Sequence, residues 1–398
     1  MSNNVSEKTK QTATEQALTP KLRFPEFRDA GDWEVKLLGK TCDVLNNRRK
    51  PITGSDRVSG PYPYYGASGI VDYVNDFIFA ERLLLIGEDG AKWGAYEKTA
   101  FIVEGKYWVN NHAHVLKPIG VNDTLLENYL TMLDLGPFIT GAAPPKLTLG
   151  KLKEVPIPVP SLREEQQKIA DCLSSLDELI TAEAQKLDTL RAYKKGLMQQ
   201  LFPSEGGTLP KLRFPEFRDA GAWESKFISD VVKSVQTGKL DANAMVEDGQ
   251  YRFYTCAKNY YRINDYAFDG EALLIAGNGA YLGYIHHYIG KFNAYQRTYV
   301  LQDFNINVAF LKYYLERNLP YRISLEKKDG NTPYIVLSTI TEMPLSIPRD
   351  DGEQQKIADC LSSLDELIAA QTQKLELLKE HKKGLMQQLF PALDEVNA

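Results

Sequence analysis

The sequence lacks the features that mark several common classes of protein. No apolar run approaches the roughly 20 residues that a membrane-spanning helix requires, and residues 1–19 are polar, with no apolar signal segment. The four cysteines, Cys42, Cys172, Cys256 and Cys360, form no CxxC pair, which argues against a disulfide framework and against a zinc site. We therefore expect a cytoplasmic protein with reduced thiols and with no metal or cofactor.

Motifs for nucleotide hydrolysis and for methyl transfer are also missing. The phosphate-binding pattern GxxxxGK[ST] fails at its one possible site, because Glu34 occupies the place of the first glycine ahead of Gly39, Lys40 and Thr41. An adenine methyltransferase would need an Asn- or Asp-Pro-Pro-aromatic motif, and the sole double proline, in AAPPKL, follows neither residue. The sequence thus gives no support for an ATPase or a methyltransferase.

A short nuclease-like pattern occurs in the first half of the chain. Residues 104–106 read EGK, the minimal ExK pattern of metal-dependent nucleases, and Asp89 lies upstream. Chance explains so short a pattern better, since the second half has no counterpart, but a metal-dependent nuclease is kept as an alternative function. The histidine pairs 112/114 and 286/287 have no Cys or further His at ligand spacing, so we assign no metal site.

The most informative feature is an internal repeat. Three segments occur twice, the first offset by 190 residues and the other two by 188. They are PKLRFPEFRDAG at 20–31 and 210–221, EQQKIADCLSSLDELI at 165–180 and 353–368, and KKGLMQQLFP at 194–203 and 382–391. The roughly 130 residues between them match in outline alone, as in LLLIGEDGAKWG against ALLIAGNGAYLG. The chain is a tandem duplication with a constant frame and variable segments.

Each constant tail has the apolar heptad pattern of a long helix. A helix of about 40 residues, about 60 Å long, is predicted over 161–203 and again over 349–391. One apolar stripe on so long a helix needs a partner, and chain connectivity favours antiparallel pairing of the two over each helix lying on its own domain. The register is open, because polar residues interrupt both seams. The predicted pairing residues are Ile169, Leu173, Leu176, Ile180, Leu187, Leu190, Ile357, Leu361, Leu364, Ile368, Leu375 and Leu378.

The variable segments predict α+β domains. Short β-rich runs such as RLLLIG and EALLIA precede helical patterns such as TLLENYLTMLDL, and VPIPVP or MPLSIP closes each segment. Tyrosine clusters such as YRFYTCAKNYYRINDY fit either half-buried strand packing or a ligand-facing surface. We predict two globular domains separated by two long helices that form an antiparallel coiled coil, as a pseudo-twofold internal repeat. The predicted segments are a tail 1–19, domains 20–160 and 210–348, helices 161–203 and 349–391, a linker 204–209 and a tail 392–398.

Four motifs carry a resemblance that covers nearly the whole chain beyond residue 19. They are LRFPEF ahead of each domain, the GEDGA turn, PKLTLGKLKEVPIPVPS leading into the helix and EQQKIA opening it. With these motifs the chain resembles the DNA-specificity subunits of type I restriction-modification systems. The resemblance implies that each domain reads one half of a split double-stranded DNA target and that the helices act as a ruler. It also implies two docked DNA adenine methyltransferase subunits, with motor and nuclease subunits joining the full complex.

Candidate DNA contacts are the polar, basic and aromatic residues in turns of the variable segments. Arg, Asn, Gln and Lys have the donor geometry to read guanine or adenine edges, although solvated loop charges and local turn hydrogen bonds explain any single position equally well. The first domain offers Asn46, Asn47, Arg48, Arg49, Lys50, Lys92, Trp93, Asn110, Asn111, His112 and Lys146, and the second offers Gln236, Thr237, Lys239, Asn278, Tyr281, Gln296, Arg297, Asn331 and Thr332.

The charge balance is unusual for a DNA reader. Residues 20–160 contain 17 basic and 17 acidic side chains, and residues 210–348 contain 16 and 15, whereas free-standing DNA-binding domains carry net positive charge. We therefore expect the methyltransferase partners to supply much of the phosphate contact. A coiled-coil adaptor that binds proteins alone is a further alternative, which two large variable domains disfavour.

Overall fold

The computed structural model describes residues 18–204, 206–326 and 334–392. The chain divides into two compact units. Unit 1 runs to Ala184 and resumes at Lys374, and unit 2 is Gln185–Gln373. Residues 1–17 of the predicted tail 1–19, residues 393–398 of the predicted tail 392–398, and the candidates Asn331 and Thr332 lie outside the described residues.

Unit 1 contains a mixed set of short strands and helices ahead of one long helix. Its elements are β1 (Glu34–Leu37), α1 (Leu38–Thr41), β2 (Cys42–Val44), β3 (Tyr62–Gly66), β4 (Gly69–Val74), β5 (Leu83–Gly87), β6 (Ala100–Val103), β7 (Trp108–Val109), β8 (Ala113–Pro118), α2 (Asp123–Met132), α3 (Leu149–Lys153), β9 (Pro156–Val159) and the first part of α4 (Arg163–Leu201).

Unit 2 contains the same kinds of element in the same general order. They are β10 (Glu224–Phe227), α5 (Ile228–Val231), β11 (Val232–Thr237), β12 (Tyr251–Tyr254), β13 (Tyr261–Ile263), β14 (Glu271–Ala276), β15 (Ile285–Ile289), β16 (Phe292–Ala294), β17 (Thr298–Phe304), α6 (Val308–Glu326), α7 (Leu337–Thr341), β18 (Pro344–Ile347) and the first part of α8 (Asp351–Leu389). Within the described residues, no helix is both long and apolar enough to span a membrane.

The sheets show that the sequence repeat is also a structural repeat. Unit 1 has sheets β2-β8-β5-β6 and β4-β3-β7 with the pair β1-β9, and unit 2 has β11-β17-β14-β15 and β13-β12-β16 with the pair β10-β18. The central strand β5 is buried on both faces, which is why its sequence is an unbroken apolar run. Leu84 and Ile86 enter the core shared with the helices, while Leu83 and Leu85 face the smaller sheet. The prediction of α+β domains is confirmed.

The duplicated twelve-residue segment and the tryptophan two residues after it bind the start of a long helix. In unit 1, Arg23 donates two hydrogen bonds of 2.7 Å to the carboxylate of Glu165, and the indole of Trp33 donates a third at 3.2 Å. In unit 2, Arg213 and Trp223 make the same contacts with Glu353. Both copies therefore require identical residues.

The same segment also reaches the end of the other long helix. The amide of Leu22 donates to the carbonyl of Gln388 in α8, and the amide of Leu212 donates to the carbonyl of Gln200 in α4, each at 2.9 Å. Each copy thus joins the first turn of one long helix to the last turns of the other.

The long helices run antiparallel where they meet inside each unit. In unit 1, Asp177 pairs with Lys382 at 2.7 Å and Glu183 pairs with Lys374, so that ascending positions in α4 meet descending positions in α8. In unit 2, Lys194 pairs with Asp365 at 2.6 Å. These pairs define the register that the sequence leaves open. All twelve residues predicted to pair the helices are buried or half-buried.

Two of the predicted boundaries, which stay predictions, lie beside residues that make tertiary contacts. Leu18 is buried in the first core and its carbonyl accepts from the amide of Trp33, so packing begins at least two residues before position 20. Part of the predicted linker is held against the second domain, since the carbonyl of Thr208 accepts from Trp223 and that of Gly207 accepts from Ser346. Composition alone does not reveal these hydrogen bonds, because they are made by backbone atoms.

Candidate nucleic-acid interface

In unit 1, three loops of the larger sheet emerge at one edge. Val44, which ends β2, pairs with Leu116, and Gly87, which ends β5, pairs with Ala113, which begins β8. Because antiparallel neighbours alternate in direction, the loops after β2 and β5 and before β8 lie together. A fourth loop joins them, because Lys146 forms a β-bridge with Asp89. We call the loops 45–50, 88–93, 110–112 and 140–146 the first edge.

Unit 2 has the same arrangement. Thr237, which ends β11, pairs with Tyr299, and Ala276, which ends β14, pairs with Thr298, which begins β17. The loops 238–240, 277–281 and 295–297 form what we call the second edge. Backbone hydrogen bonds join them: Gly238 donates to Thr298, Gln296 to Leu240 and Gly277 to Arg297.

Two glycines of the second edge allow this close approach. A β-carbon on Gly238 would overlap the carbonyl of Ala294, and one on Gly277 would overlap the carbonyl of Arg297. Backbone atoms cannot move aside as a flexible side chain can, so any larger residue would separate the loops. The exposed side chains of this edge are therefore held on a closely packed backbone.

The structure brings the described candidates of each domain together at its edge, but not all their side chains are available. Asn46 accepts from Val115 and contacts His114, the indole of Trp93 donates to Gly87, and Asn110 is 6% exposed and accepts from His112. These three side chains hold the loops in place. The candidates that remain exposed are Asn47, Arg48, Lys50, Lys92, Asn111, His112, Gln236, Lys239, Tyr281, Gln296 and Arg297, while Lys146, Thr237 and Asn278 are half-buried.

Arg49 is also occupied inside the first edge. Its guanidinium donates to the carboxylate of Glu88 at 2.7 Å and to the carbonyls of Asn111 and Ala113 at 3.2 and 2.8 Å. Its side chain is 14% exposed, and that of Glu88 is 21% exposed. Arg49 therefore joins three loops rather than extending toward a ligand.

Replacing Arg49 by methionine is expected to lower the free energy of unfolding by about 1.5–3 kcal/mol, because Glu88 would lose its charged donor. Lys92→Met is the matched control, since the side chain of Lys92 is 81% exposed and should cost almost nothing. Urea denaturation followed by circular dichroism measures both. Equal losses in the two variants would contradict the assignment.

One acid of the first edge is paired with two basic side chains of the same edge. The carboxylate of Asp89 lies 2.9 Å from Nζ of Lys146 and also contacts Nδ1 of His112. Burial alone would raise the pKa of Asp89, but the hydrogen bonds from Lys146 and His112 lower it. Asp89 is therefore charged at neutral pH and neutralises Lys146.

His114 is a buried structural residue. Its Nε2 lies 2.7 Å from the carbonyl of Leu147, which must accept, so Nδ1 is the acceptor for the amide of Asn46 at 2.8 Å. Burial lowers the pKa of His114, which keeps the ring neutral at pH 7. Neutral, fully bonded and 1% exposed, this ring has no free lone pair for a metal.

The nuclease-like pattern is not assembled. Glu104 follows Val103, which pairs with Leu83 at the start of β5, whereas Asp89 follows the end of that strand. At about 3.3 Å per residue, the four steps of this strand place the backbones of the two acids about 13 Å apart along it. Glu104 is instead paired with Arg82 at 3.2 Å. Across the described ranges, no group of three His, Cys, Asp or Glu residues is arranged to hold a metal ion.

Sequence reasoning missed the acids that organise these sites. Glu88 and Asp89 stand out in the sequence as part of the GEDGA turn, but nothing there identifies them as the partners of Arg49 and Lys146. Glu165 belongs to the motif that opens the helix, and the sequence does not show that it accepts from Arg23. The sequence does contain a signal for the pair of Arg23 and Glu165, because both residues are unchanged in the second copy of the repeat.

Comparisons with known proteins agree with this geometry. The family described as "Type I restriction modification DNA specificity domain" matches residues 30–192 and 221–380. Over 416 residues the chain is 24% identical to the type I restriction enzyme MjaVIII specificity subunit of Methanocaldococcus jannaschii, covering 93% of each. The crystal structure of the type I restriction-modification system S subunit from M. genitalium superimposes with a TM-score of 0.67 at 18% identity, over 94% of this chain and all of that one.

The architecture is that of a two-domain protein with long helices, as in that crystal structure. The chain belongs to the type I restriction-modification DNA specificity family, because the family matches both of its repeats. Some likenesses are partial: the chain is 39% identical to the EcoDI specificity subunit of Escherichia coli over 165 residues, 36% of that protein. A Haemophilus influenzae relative is matched over 39% of its length.

Proposed function

We propose that this chain is the sequence-reading subunit of a type I restriction-modification complex and that its two edges read the two halves of a split DNA target. One observation carries the proposal. The contacts that build the frame, Arg23 with Glu165 and Arg213 with Glu353, are the same in both repeats, whereas the edges that this frame supports differ. A constant scaffold with two different polar edges fits a reader of two different base sequences.

The exposed residues of the edges supply the chemistry for direct readout. Amide and guanidinium groups such as those of Gln296 and Arg297 donate to base edges in the major groove, and lysines such as Lys239 contact guanine or phosphate. In the first edge, Asn47, Asn111 and His112 have this role, while Arg49 and Asn110 position the loops. Asn331 and Thr332 are retained as candidates from the sequence.

Catalysis belongs to the partners in this proposal. Two DNA adenine methyltransferase subunits dock on the chain, motor and nuclease subunits complete the restriction complex, and the paired helices set the unread spacer. The complex works in the cytoplasm, where the DNA is. Because neither domain is basic, the partners contribute much of the phosphate contact, and the isolated chain binds DNA weakly with a shallow salt dependence.

The test is to co-express the chain with the adenine methyltransferase encoded beside it, in a host without DNA methylation, and to map methylated adenines by single-molecule sequencing. We expect a split motif with one methylated adenine in each half, absent when the chain is omitted. Methylation that is independent of the chain, or confined to one contiguous motif, would contradict the proposal.

Changes at one edge should alter one half of the motif. Replacing Gln296 and Arg297 by alanine is expected to relax the base specificity in one half of the motif and to leave the other half unchanged. Each bidentate hydrogen-bonded pair that the substitution removes should cost about 1–3 kcal/mol of discrimination against the wrong base. Lys233→Ala is the control, because Lys233 is exposed near the opposite end of β11. The methylation map gives the result. Altered bases in both halves would contradict the assignment of the second edge to one half of the motif.

A further inference from the structure

The smaller sheet of unit 2 places two arginines directly opposite each other. Arg252 in β12 pairs with Arg262 in β13, so their side chains share one face of the hairpin. Both guanidinium carbons lie over the ring of Tyr260, at 4.3 and 5.6 Å from its centroid. Like charges at directly opposed positions destabilise a strand pair, so this arrangement needs a compensating reason.

Arg252 is held firmly in this position. It also lies over the ring of Tyr288, at 4.4 Å, and donates to the hydroxyl of Tyr254 at 3.2 Å. Aromatic faces attract the cation without neutralising it, as a carboxylate would. Within the part of the chain that the structure describes, neither Arg252 nor Arg262 has a carboxylate at ion-pair distance. The hairpin therefore presents an ordered, uncompensated pair of positive charges.

The positive surface continues to the second edge. Lys258 follows β12 and its Nζ lies 5.3 Å from the ring centroid of Tyr281, a residue of that edge. This contact links the hairpin cations to the loops proposed to read bases. Within the described residues Lys258 likewise has no carboxylate at ion-pair distance.

The equivalent hairpin of unit 1 is different. Arg57 lies over the ring of Tyr64, at 4.7 Å, but it is also paired with Asp72 at 3.3 Å. Arg48, which lies over Phe79, is paired with Glu81 at 2.9 Å. Stacked arginines in the first domain are thus neutralised, so they offer no anion site.

We propose that the hairpin surface formed by Arg252, Tyr260 and Arg262, extended by Lys258, binds DNA phosphates beside the half-target read by the second edge. The inference rests on the proposed function and adds an asymmetry to it: the second domain supplies most of the chain's own phosphate contact. A phosphate removes the repulsion between the arginines, and stacking reduces the rotamer freedom that binding must freeze. Continuity with the second edge favours DNA over an acidic protein.

The test measures the salt dependence of DNA binding by the full chain, alone and with its co-expressed methyltransferase. The probe is a fluorescent duplex of random sequence, titrated between about 50 and 200 mM salt. The slope of log K against log salt should fall by about 0.9 for each arginine removed, in Arg262→Gln and in the Arg252→Gln/Arg262→Gln double variant. Arg57→Gln is the matched control and should leave the slope unchanged.

The outcomes separate this inference from the function it rests on. A wild-type chain that binds no duplex in either form overturns the proposed function itself. Wild-type binding with an unchanged slope in both variants overturns the hairpin site alone. Unchanged slopes with loss of methyltransferase co-purification would make the surface a protein-docking site, which also overturns it. The single variant Arg262→Gln is expected to fold normally, because Arg262 is exposed and its side chain makes one long hydrogen bond of 3.4 Å, to the carbonyl of Gln250.

Discussion

Replacing Glu165 by alanine is expected to lower the free energy of unfolding by about 3–5 kcal/mol, because Arg23 would be left buried without its hydrogen-bonded counter-charge. The side chains of Arg23 and Glu165 are 7% and 1% exposed, so water cannot take the place of the missing carboxylate. The indole of Trp33 would lose its acceptor as well. Denaturant unfolding followed by circular dichroism measures the change.

The neighbouring acid gives a matched control for this prediction. Glu164 lies in the same first turn of α4, is exposed, and has the same favourable interaction with the helix dipole. Glu164→Ala should therefore cost well under about 1 kcal/mol, as surface changes do. If both alanine variants are destabilised equally, the buried pair does not have the role assigned to it.

A second comparison separates the charge from the packing. Replacing both Arg23 and Glu165 by methionine removes the ion pair and fills much of its volume, so most of the stability should return. Hydrogen exchange locates the effect: Glu165→Ala should loosen the last turns of α8 too, because the amide of Leu22 bonds to Gln388. The same experiments on Glu353 test the second copy.

The features that the sequence could predict are those set by local periodicity. The heptad seam from Ile169 to Leu190 is buried or half-buried at each predicted position, because helical spacing alone decides which side of a helix is apolar. Strand β5 is predictable from an unbroken apolar run, which a strand covered on both faces requires. The antiparallel direction of the helices follows from connectivity.

The features that the sequence could not predict depend on distant partners. Arg49 in NNRRK is indistinguishable from a DNA-binding arginine until Glu88, 39 residues away, is found to neutralise it. Conversely, Arg252 and Arg262 stand among tyrosines that also fit ordinary strand packing, and only the hairpin register shows them opposed without an acid. The sequence shows which residues are charged, but only the fold shows which of those charges are paired with an opposite charge.

Lengthening both long helices together should lengthen the unread spacer of the target. Insertion of four helix-favouring residues between Ala184 and Gln185 and between Gln373 and Lys374 falls at the boundaries of the two units. The pairs Asp177–Lys382 and Lys194–Asp365, each within one unit, then keep their register. Four residues add about 6 Å and a net rotation of about 40°.

One base pair adds about 3.4 Å and about 35° of rotation, so we expect a spacer longer by one or two base pairs with both half-sequences unchanged. Methylation mapping gives the result directly. Insertion into α4 alone should abolish methylation, because the antiparallel pairs of one unit would no longer match, whereas four substitutions at the same positions should leave the target unaltered. A double-insertion variant that methylates the original motif would show that the helices are not the ruler, and the spacing would then have to come from the partner subunits.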